Sequence, residues 1–147
     1  MENMRSTVKV PVWFWVSAVL GLLWNAFGVF QYLGTTGATA ESLAAMGMTP
    51  EQIALQTSLP AWMIGAFAIA VFGGLAGCIL LLLRKAWATP VFALSLLGCI
   101  GVFAGDAALG VFSVFGMAQA AIISTVVIIA VLLLWLSTAS RRRGILN

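Results

Sequence analysis

Long runs of apolar residues, separated by short polar stretches, make up most of the chain between residues 12 and 137. A transmembrane helix needs about 20 predominantly apolar residues in a row. Four segments fit this requirement: 12–33, 61–83, 88–109 and 119–137. In lipid, an isolated apolar segment has to satisfy its own backbone hydrogen bonds, which a helix does. The pattern therefore predicts an all-α membrane protein, a four-helix bundle in which residues 1–147 form a single membrane domain.

The longest connection between these spans, residues 34–60, carries the sequence signals of short helices. Residues 49–52 read Thr-Pro-Glu-Gln, in which threonine can cap a helix, proline suits its first position and glutamine can close a capping box. A second short helix is expected from Glu41 to Met46, ended by Gly47. The apolar side chains of this loop favour a connector that rests on the membrane surface, and a lid over a cavity is the alternative.

The composition agrees with lipid as the main solvent, because 63% of the residues are hydrophobic and only 7% are charged. Soluble domains carry about 25% charged residues. An even number of spans places every lysine and arginine on one side of the membrane, and that side is expected to be the cytoplasm. Both termini are therefore predicted to be cytoplasmic. The seven basic residues are Arg5, Lys9, Arg84, Lys85, Arg141, Arg142 and Arg143.

Two other interpretations of the basic and apolar residues are less favoured. The basic residues stand in three separate groups beside the spans, so no nucleic-acid partner is expected. The first span could be a cleavable signal peptide with Ala38-Thr39-Ala40 as its cleavage site. Its apolar run is longer than the roughly 7–15 residues of such a peptide, however, and this favours a true span.

Small residues on one helix face let membrane helices approach closely. The second span contains a GxxxG pair, Gly73 and Gly77, and the third contains another, Gly101 and Gly105. Only a few residues join these two spans, so they must be antiparallel neighbours. We expect the two glycine faces to pack on each other, or one of them to face another copy of the chain.

A few polar residues within the spans are the candidates for a binding site. With a rise of about 1.5 Å per residue, Gln31, Asp106 and Gln119 lie at one level, about 27–28 Å from the basic ends of their helices. Tyr32 lies just beyond this level, and Trp24 and Asn25 lie deeper. We hypothesise that these six residues line an outward-facing ligand-binding pocket.

Three of these residues also have a purely structural interpretation. Asp106 could simply mark the end of the third span, Asn25 could join two helices, and Trp24 could pack in the core. The fourth span is rich in isoleucine, valine and leucine, and it is expected to face lipid rather than a polar site.

Several kinds of chemistry are not expected. The chain has no histidine and no cluster of carboxylates, so neither a metal site nor a cofactor is predicted. No nucleophile–base pair or phosphate-binding loop stands out, which argues against an enzyme. Cys78 and Cys99 lie at different depths in their spans, so no disulfide is expected.

Several short motifs carry a resemblance to a known group of proteins. They are Val12-Trp13-Phe14-Trp15, Leu23-Trp24-Asn25-Ala26-Phe27-Gly28, Pro60-Ala61-Trp62, Phe72-Gly73-Gly74-Leu75-Ala76-Gly77 and Trp87-Ala88-Thr89-Pro90-Val91-Phe92-Ala93-Leu94-Ser95. The chain resembles small four-span bacterial inner-membrane proteins of similar length, usually labelled uncharacterised and sometimes sugar transporter. The resemblance implies the same fold, a bacterial inner-membrane location and, from the second label, a small solute as the ligand.

Two functional hypotheses follow. The first is a binder or transporter of a small solute that works as a homo-oligomer, because four helices alone enclose little volume. The second is an accessory or scaffolding subunit, without transport activity of its own, that docks on a larger membrane complex through the glycine faces.

Overall fold

The computed structural model describes residues 9–147, which form seven α-helices and no β-strand. Arg5, one of the residues used to orient the chain, lies outside this range. The chain is an all-α four-helix bundle with three short helices in its connections. The helices are α1 (Val12–Thr36), α2 (Ala40–Ala45), α3 (Pro50–Thr57), α4 (Ala61–Leu82), α5 (Ala88–Ala108), α6 (Val111–Phe115) and α7 (Met117–Arg142).

The first and last long helices extend beyond the apolar runs that predicted them. Helix α1 continues to Thr36, and α7 covers Met117–Arg142 instead of 119–137. The threonines among the added residues satisfy their hydroxyl groups within their own helix: Thr36 Oγ1 donates to the Tyr32 carbonyl at 2.7 Å and Thr138 Oγ1 to the Leu134 carbonyl at 2.8 Å. An apolar run therefore marks the segment suited to lipid, whereas the helix can continue past it.

The four long helices are arranged around a central antiparallel pair. Helices α4 and α5 pack on each other, α1 packs on α4, and α7 packs on α5. The chain enters α1 at the end of the bundle that holds Lys9, the α4–α5 turn and residues 141–143, which we call the basic end. The opposite end holds α2, α3 and α6, with α3 in contact with α6, and we call it the loop end.

The loop end is built from helix caps, as the sequence predicted. Thr49 and Gln52 form a reciprocal capping box, in which the Gln52 amide donates to Thr49 Oγ1 at 3.2 Å and the Thr49 amide donates to Gln52 Oε1 at 3.0 Å. A second capping box, formed by Thr39 and Ser42, starts α2. Helix α2 therefore covers Ala40–Ala45, one residue closer to the N-terminus than the predicted 41–46. Leu43 of α2 is buried, which fixes this helix to the rest of the molecule.

The main hydrophobic cluster lies at the basic end and takes residues from all four long helices. It also includes Ile145 and Leu146, which follow α7 and return to the bundle. The returning segment is held by backbone hydrogen bonds from Asn147 N to the Arg84 carbonyl at 2.7 Å and from Ala86 N to the Asn147 carbonyl at 2.6 Å. Nothing in the apolar pattern predicted this contact, because the segment is short and follows three arginines. The other cluster members are Phe14, Ala18, Cys78, Leu81, Ala88, Phe92, Leu133 and Leu136.

Candidate polar site at the loop end

Asp106 lies near the end of α5 and is buried, with 4% of its surface exposed. Its carboxylate accepts a hydrogen bond from the side chain of Gln119, with 3.2 Å between Gln119 Nε2 and Asp106 Oδ2. Gly110 and Gly116, at φ +72° and +81°, bracket the short helix α6 between α5 and α7. This turn brings the first residues of α7 back against the end of α5. Asp106 therefore faces the interior of the bundle.

The expectation that the fourth span faces lipid rather than a polar site is wrong at this end of α7. Gln119 is two residues into the helix and supplies the hydrogen bond to Asp106. Most of α7 is apolar, as the sequence indicated. The turn through α6, however, brings Gln119 at the start of α7 to Asp106.

No basic side chain neutralises Asp106 from within the described chain. Lysine and arginine are absent from residues 10–83 and 86–140, so the six basic residues of the described chain all belong to the basic end. A carboxylate has room for about four hydrogen bonds. The structure shows one side-chain donor, Gln119. The pair thus keeps acceptor capacity for water or for a ligand with hydroxyl, amide or ammonium groups.

Asn25 lies away from this pair and joins α1 to α4. Its Nδ2 donates to the Gly21 carbonyl at 2.8 Å and lies 3.7 Å from the Cys78 sulfur. Its carboxamide packs directly on Gly74, where an added Cβ would collide with Asn25 Oδ1. A buried amide of this kind holds membrane helices together. These contacts support the structural interpretation of Asn25.

Three further predicted site residues point in different directions from Asp106. The Tyr32 ring packs edge-on against Phe67 and Phe72 of α4, with centroids 5.3 and 5.5 Å away. Gln31 is exposed, and Trp24 lies on the wall of a groove between α1 and α7. Equal depth along the helices did not determine a common direction, and among the six residues the structure shows a side-chain hydrogen bond between Asp106 and Gln119 alone.

The four glycines singled out for helix packing all lie between α4 and α5. A Cβ on Gly77 would lie 2.6 Å from a ring carbon of Phe92, and one on Gly105 would lie 2.7 Å from Met63 Cε. Gly73 faces Ser95, and Gly101 faces the Cβ of Ala66 at a longer 3.4 Å. The glycine faces therefore pack inside the chain.

Ser95 adds a polar link between the same two helices, because its hydroxyl donates to the Ala70 carbonyl of α4 at 2.6 Å. Sequence reasoning missed this contact. Ser95 lies one helical turn before Gly98 and Cys99, and this spacing could have indicated that the three residues share the packed face of α5.

A groove of about 680 Å³ runs between α1 and α7, and sequence reasoning missed it as well. At its basic end the Arg143 guanidinium lies 5.6 Å from the centre of the Trp13 ring. Trp13, Ser17, Gly21 and Trp24 recur at helical spacing on α1, and this pattern could have indicated a common face. The opposite wall includes Leu132, Leu133 and Trp135.

The described residues contain no group of three or more histidine, cysteine, aspartate or glutamate side chains that could hold a metal ion. Cys78 and Cys99 are both free thiols, buried in α4 and α5. The candidate site at the loop end thus consists of one buried carboxylate, Asp106, and one amide, Gln119.

Four helices long and apolar enough to cross a membrane make this chain a small multi-pass integral membrane protein. The chain matches no protein-family model, no curated protein and no solved structure.

Proposed function

We propose that the protein binds a small polar solute at the Asp106–Gln119 pair and transports it across the membrane. The observation that carries this proposal is a buried carboxylate whose one side-chain partner in the structure is an amide. Burying a carboxylate without a cation is costly, and acidic residues kept inside membrane bundles mark substrate pathways. A purely structural residue at this position would gain more from an apolar side chain.

The chemistry of the pair favours a solute rich in hydroxyl groups. Asp106 supplies acceptors, and Gln119 keeps a carbonyl acceptor and an amide donor, so the pair can bind adjacent hydroxyls that each donate and accept. A polyhydroxylated, sugar-like solute fits this arrangement, and it agrees with the resemblance to proteins labelled sugar transporter. The aromatic cluster of Tyr32, Phe67 and Phe72 lies at the same end of α1 and α4.

The surroundings of the pair support access from the loop end. Helix α6 directly connects the helices that carry Asp106 and Gln119, and α3 packs on α6. Movement of these two short helices would open the pair to water without disturbing the packing of α4 on α5. With the basic end in the cytoplasm of a bacterial cell, this opening faces outward.

A homo-oligomer remains part of the proposal, because four helices enclose little volume for a solute path. Its interface would use surfaces other than the glycine faces, since these lie between α4 and α5. An accessory subunit, the second hypothesis, would likewise have to dock through surfaces other than those glycines.

Native mass spectrometry of the protein, extracted gently from its own membrane, tests the proposal. We expect the wild type to carry a small molecule. The Asp106→Asn variant should carry at least about tenfold less of it, because a hydrogen bond to a charged group contributes about 1.5–3 kcal/mol. The matched control is Glu51→Gln, the same change at an exposed acid of the loop end. The mass also reports the oligomeric state.

Uptake of labelled monosaccharides by proteoliposomes then tests transport by the wild type, the Asp106→Asn variant and the Glu51→Gln variant. A molecule retained equally by all of them would contradict a role for Asp106. A stoichiometric complex with unrelated subunits and no bound solute would instead favour the accessory subunit.

A further inference from the structure

The groove between α1 and α7 has the length of one membrane leaflet. Along α7 it runs from Ile129 to Arg143, about 21 Å at 1.5 Å per residue, and along α1 from Trp13 to Trp24, about 16 Å. The hydrocarbon core of a bilayer is about 30 Å thick, so one leaflet accounts for about 15 Å. The groove starts at the basic end and reaches roughly the middle of the membrane.

The walls of the groove are apolar, and its charged group lies at the basic end. Leu20 and Gly21 of α1 face Leu132 and Leu133 of α7 along its length. The Arg143 guanidinium rests over the face of Trp13, a cation–π contact that positions the group and leaves its N–H donors available. A long apolar groove that ends at a guanidinium matches an anionic lipid, whose apolar acyl chain ends at a charged headgroup.

Arg143 has no acidic partner in the described chain. The acids of residues 9–147 are Glu41, Glu51 and Asp106, and all three belong to the loop end. A second copy of the chain, inserted in the same orientation, would also carry these acids at the far side of the membrane. None of the acidic side chains of residues 9–147 is therefore placed to reach Arg143, whereas phospholipid headgroups lie at this level.

We propose that the α1–α7 groove is a binding site for one anionic phospholipid of the leaflet at the basic end. One acyl chain lies in the groove against Leu20 and Leu132, and the phosphate accepts hydrogen bonds from Arg143. The bound lipid fills the gap between the two outer helices of the bundle. The proposal does not depend on the solute site at the loop end, because the two sites share no residue.

Quenching of tryptophan fluorescence by brominated lipids provides the test, because Trp13, Trp24 and Trp135 line the groove. The protein is reconstituted in phosphatidylcholine vesicles that contain a small fraction of either brominated phosphatidylglycerol or brominated phosphatidylcholine. We expect about a fivefold preference for the anionic lipid, the effect of one arginine near the membrane surface. The preference should disappear in the Arg143→Gln variant.

The matched control is Arg141→Gln, which removes the same charge from the last turn of α7 at a residue outside the groove. This variant should keep the preference of the wild type. Equal losses in the two variants would overturn the proposal, because they would mean that the arginines attract headgroups without a site. Loss of the preference on addition of inorganic phosphate would also overturn it, in favour of a free-anion site.

A second pair of variants tests the acyl-chain part of the groove. Ser17→Phe places a ring in the groove, whereas Val16→Phe places the same ring on the neighbouring exposed position outside it. We expect Ser17→Phe to reduce quenching by the anionic lipid at least threefold and Val16→Phe to leave it unchanged, with equal helix content in both. Equal quenching in the two variants, or a cross-linked dimer that covers α1 and α7, would contradict a lipid in the groove.

Discussion

Gly77 leaves a space on α4 that the ring of Phe92 fills from α5, and Gly74 does the same on another face of α4 for the carboxamide of Asn25. At both positions the missing side chain allows a neighbouring helix to place a large or polar group against backbone. In lipid, where burial of apolar surface gives little drive for helices to associate, such close packing and buried hydrogen bonds hold a bundle together.

The Gly77→Ala substitution should destabilise the bundle by about 1–3 kcal/mol, the usual cost of overpacking. The added methyl group would lie 2.6 Å from a carbon of Phe92, so the ring or the helices have to move. Thermal unfolding in detergent measures the effect.

Gly65→Ala is the control, because it lies in the same helix with no atom within 4 Å of its added Cβ. It should leave the melting temperature unchanged or raise it slightly, since alanine favours a helix more than glycine does. Equal melting temperatures for the two variants would contradict the α4–α5 contact.

At the scale of elements, the segment after α7 closes the basic end of the bundle. Gly144, at φ +74°, turns the chain back, and Ile145 enters the hydrophobic cluster. Arg84 in the α4–α5 turn also has a positive φ of 58°, which is unfavourable for a residue with a side chain. Its Nε donates to the Ile145 carbonyl at 3.0 Å, so the turn and the segment stabilise each other.

The Ile145→Ser substitution should release this segment from the α4–α5 turn. Burial of an isoleucine side chain contributes about 1.5–3 kcal/mol, so amide exchange at Ala86 and Asn147 should become at least about tenfold faster. Hydrogen-exchange mass spectrometry of the protein in detergent measures these amides.

Asn147→Ser serves as the control, because the Asn147 side chain is exposed and the residue contacts the turn through its backbone. Its exchange should remain close to that of the wild type. If both variants exchange like the wild type, the segment does not depend on Ile145.

At the scale of the whole molecule, charge is distributed unequally between the two ends. The described basic residues lie at the basic end, and the three described acids lie at the loop end. We propose that the basic end is cytoplasmic, because loops rich in lysine and arginine are retained on that side of the membrane.

Labelling of intact cells with a membrane-impermeant maleimide checks this orientation. In a background with Cys78→Ala and Cys99→Ala, the Glu51→Cys variant should react in intact cells, because residue 51 is exposed at the loop end. The Asn147→Cys variant should react only after permeabilisation. The reverse result would place the loop end, and with it the Asp106–Gln119 pair, in the cytoplasm.

The candidate site shows how far sequence reasoning reached. Depth along the helices correctly grouped Asp106 with Gln119, because the depth of each residue was measured from the basic end of its helix. The same counts also grouped Gln31 and Tyr32 with them, yet Gln31 is exposed and Tyr32 packs on phenylalanines of α4. Rise per residue gives position along a helix, whereas the rotation of a helix about its axis depends on the helices that pack against it.

The amino-acid pattern by itself determined that this protein has four membrane-spanning helices, where each one begins within a few residues, and which end of the bundle is basic. These features depend on local chemistry: the length of an apolar run, the residues of a helix cap and the position of charges. Only the tertiary structure decided that Asp106 faces Gln119, that the glycine faces are used within the chain, and that α1 and α7 leave a groove beside Arg143. Those features depend on which faces of distant helices meet, and side-chain packing between helices is set by the whole bundle rather than by any one segment.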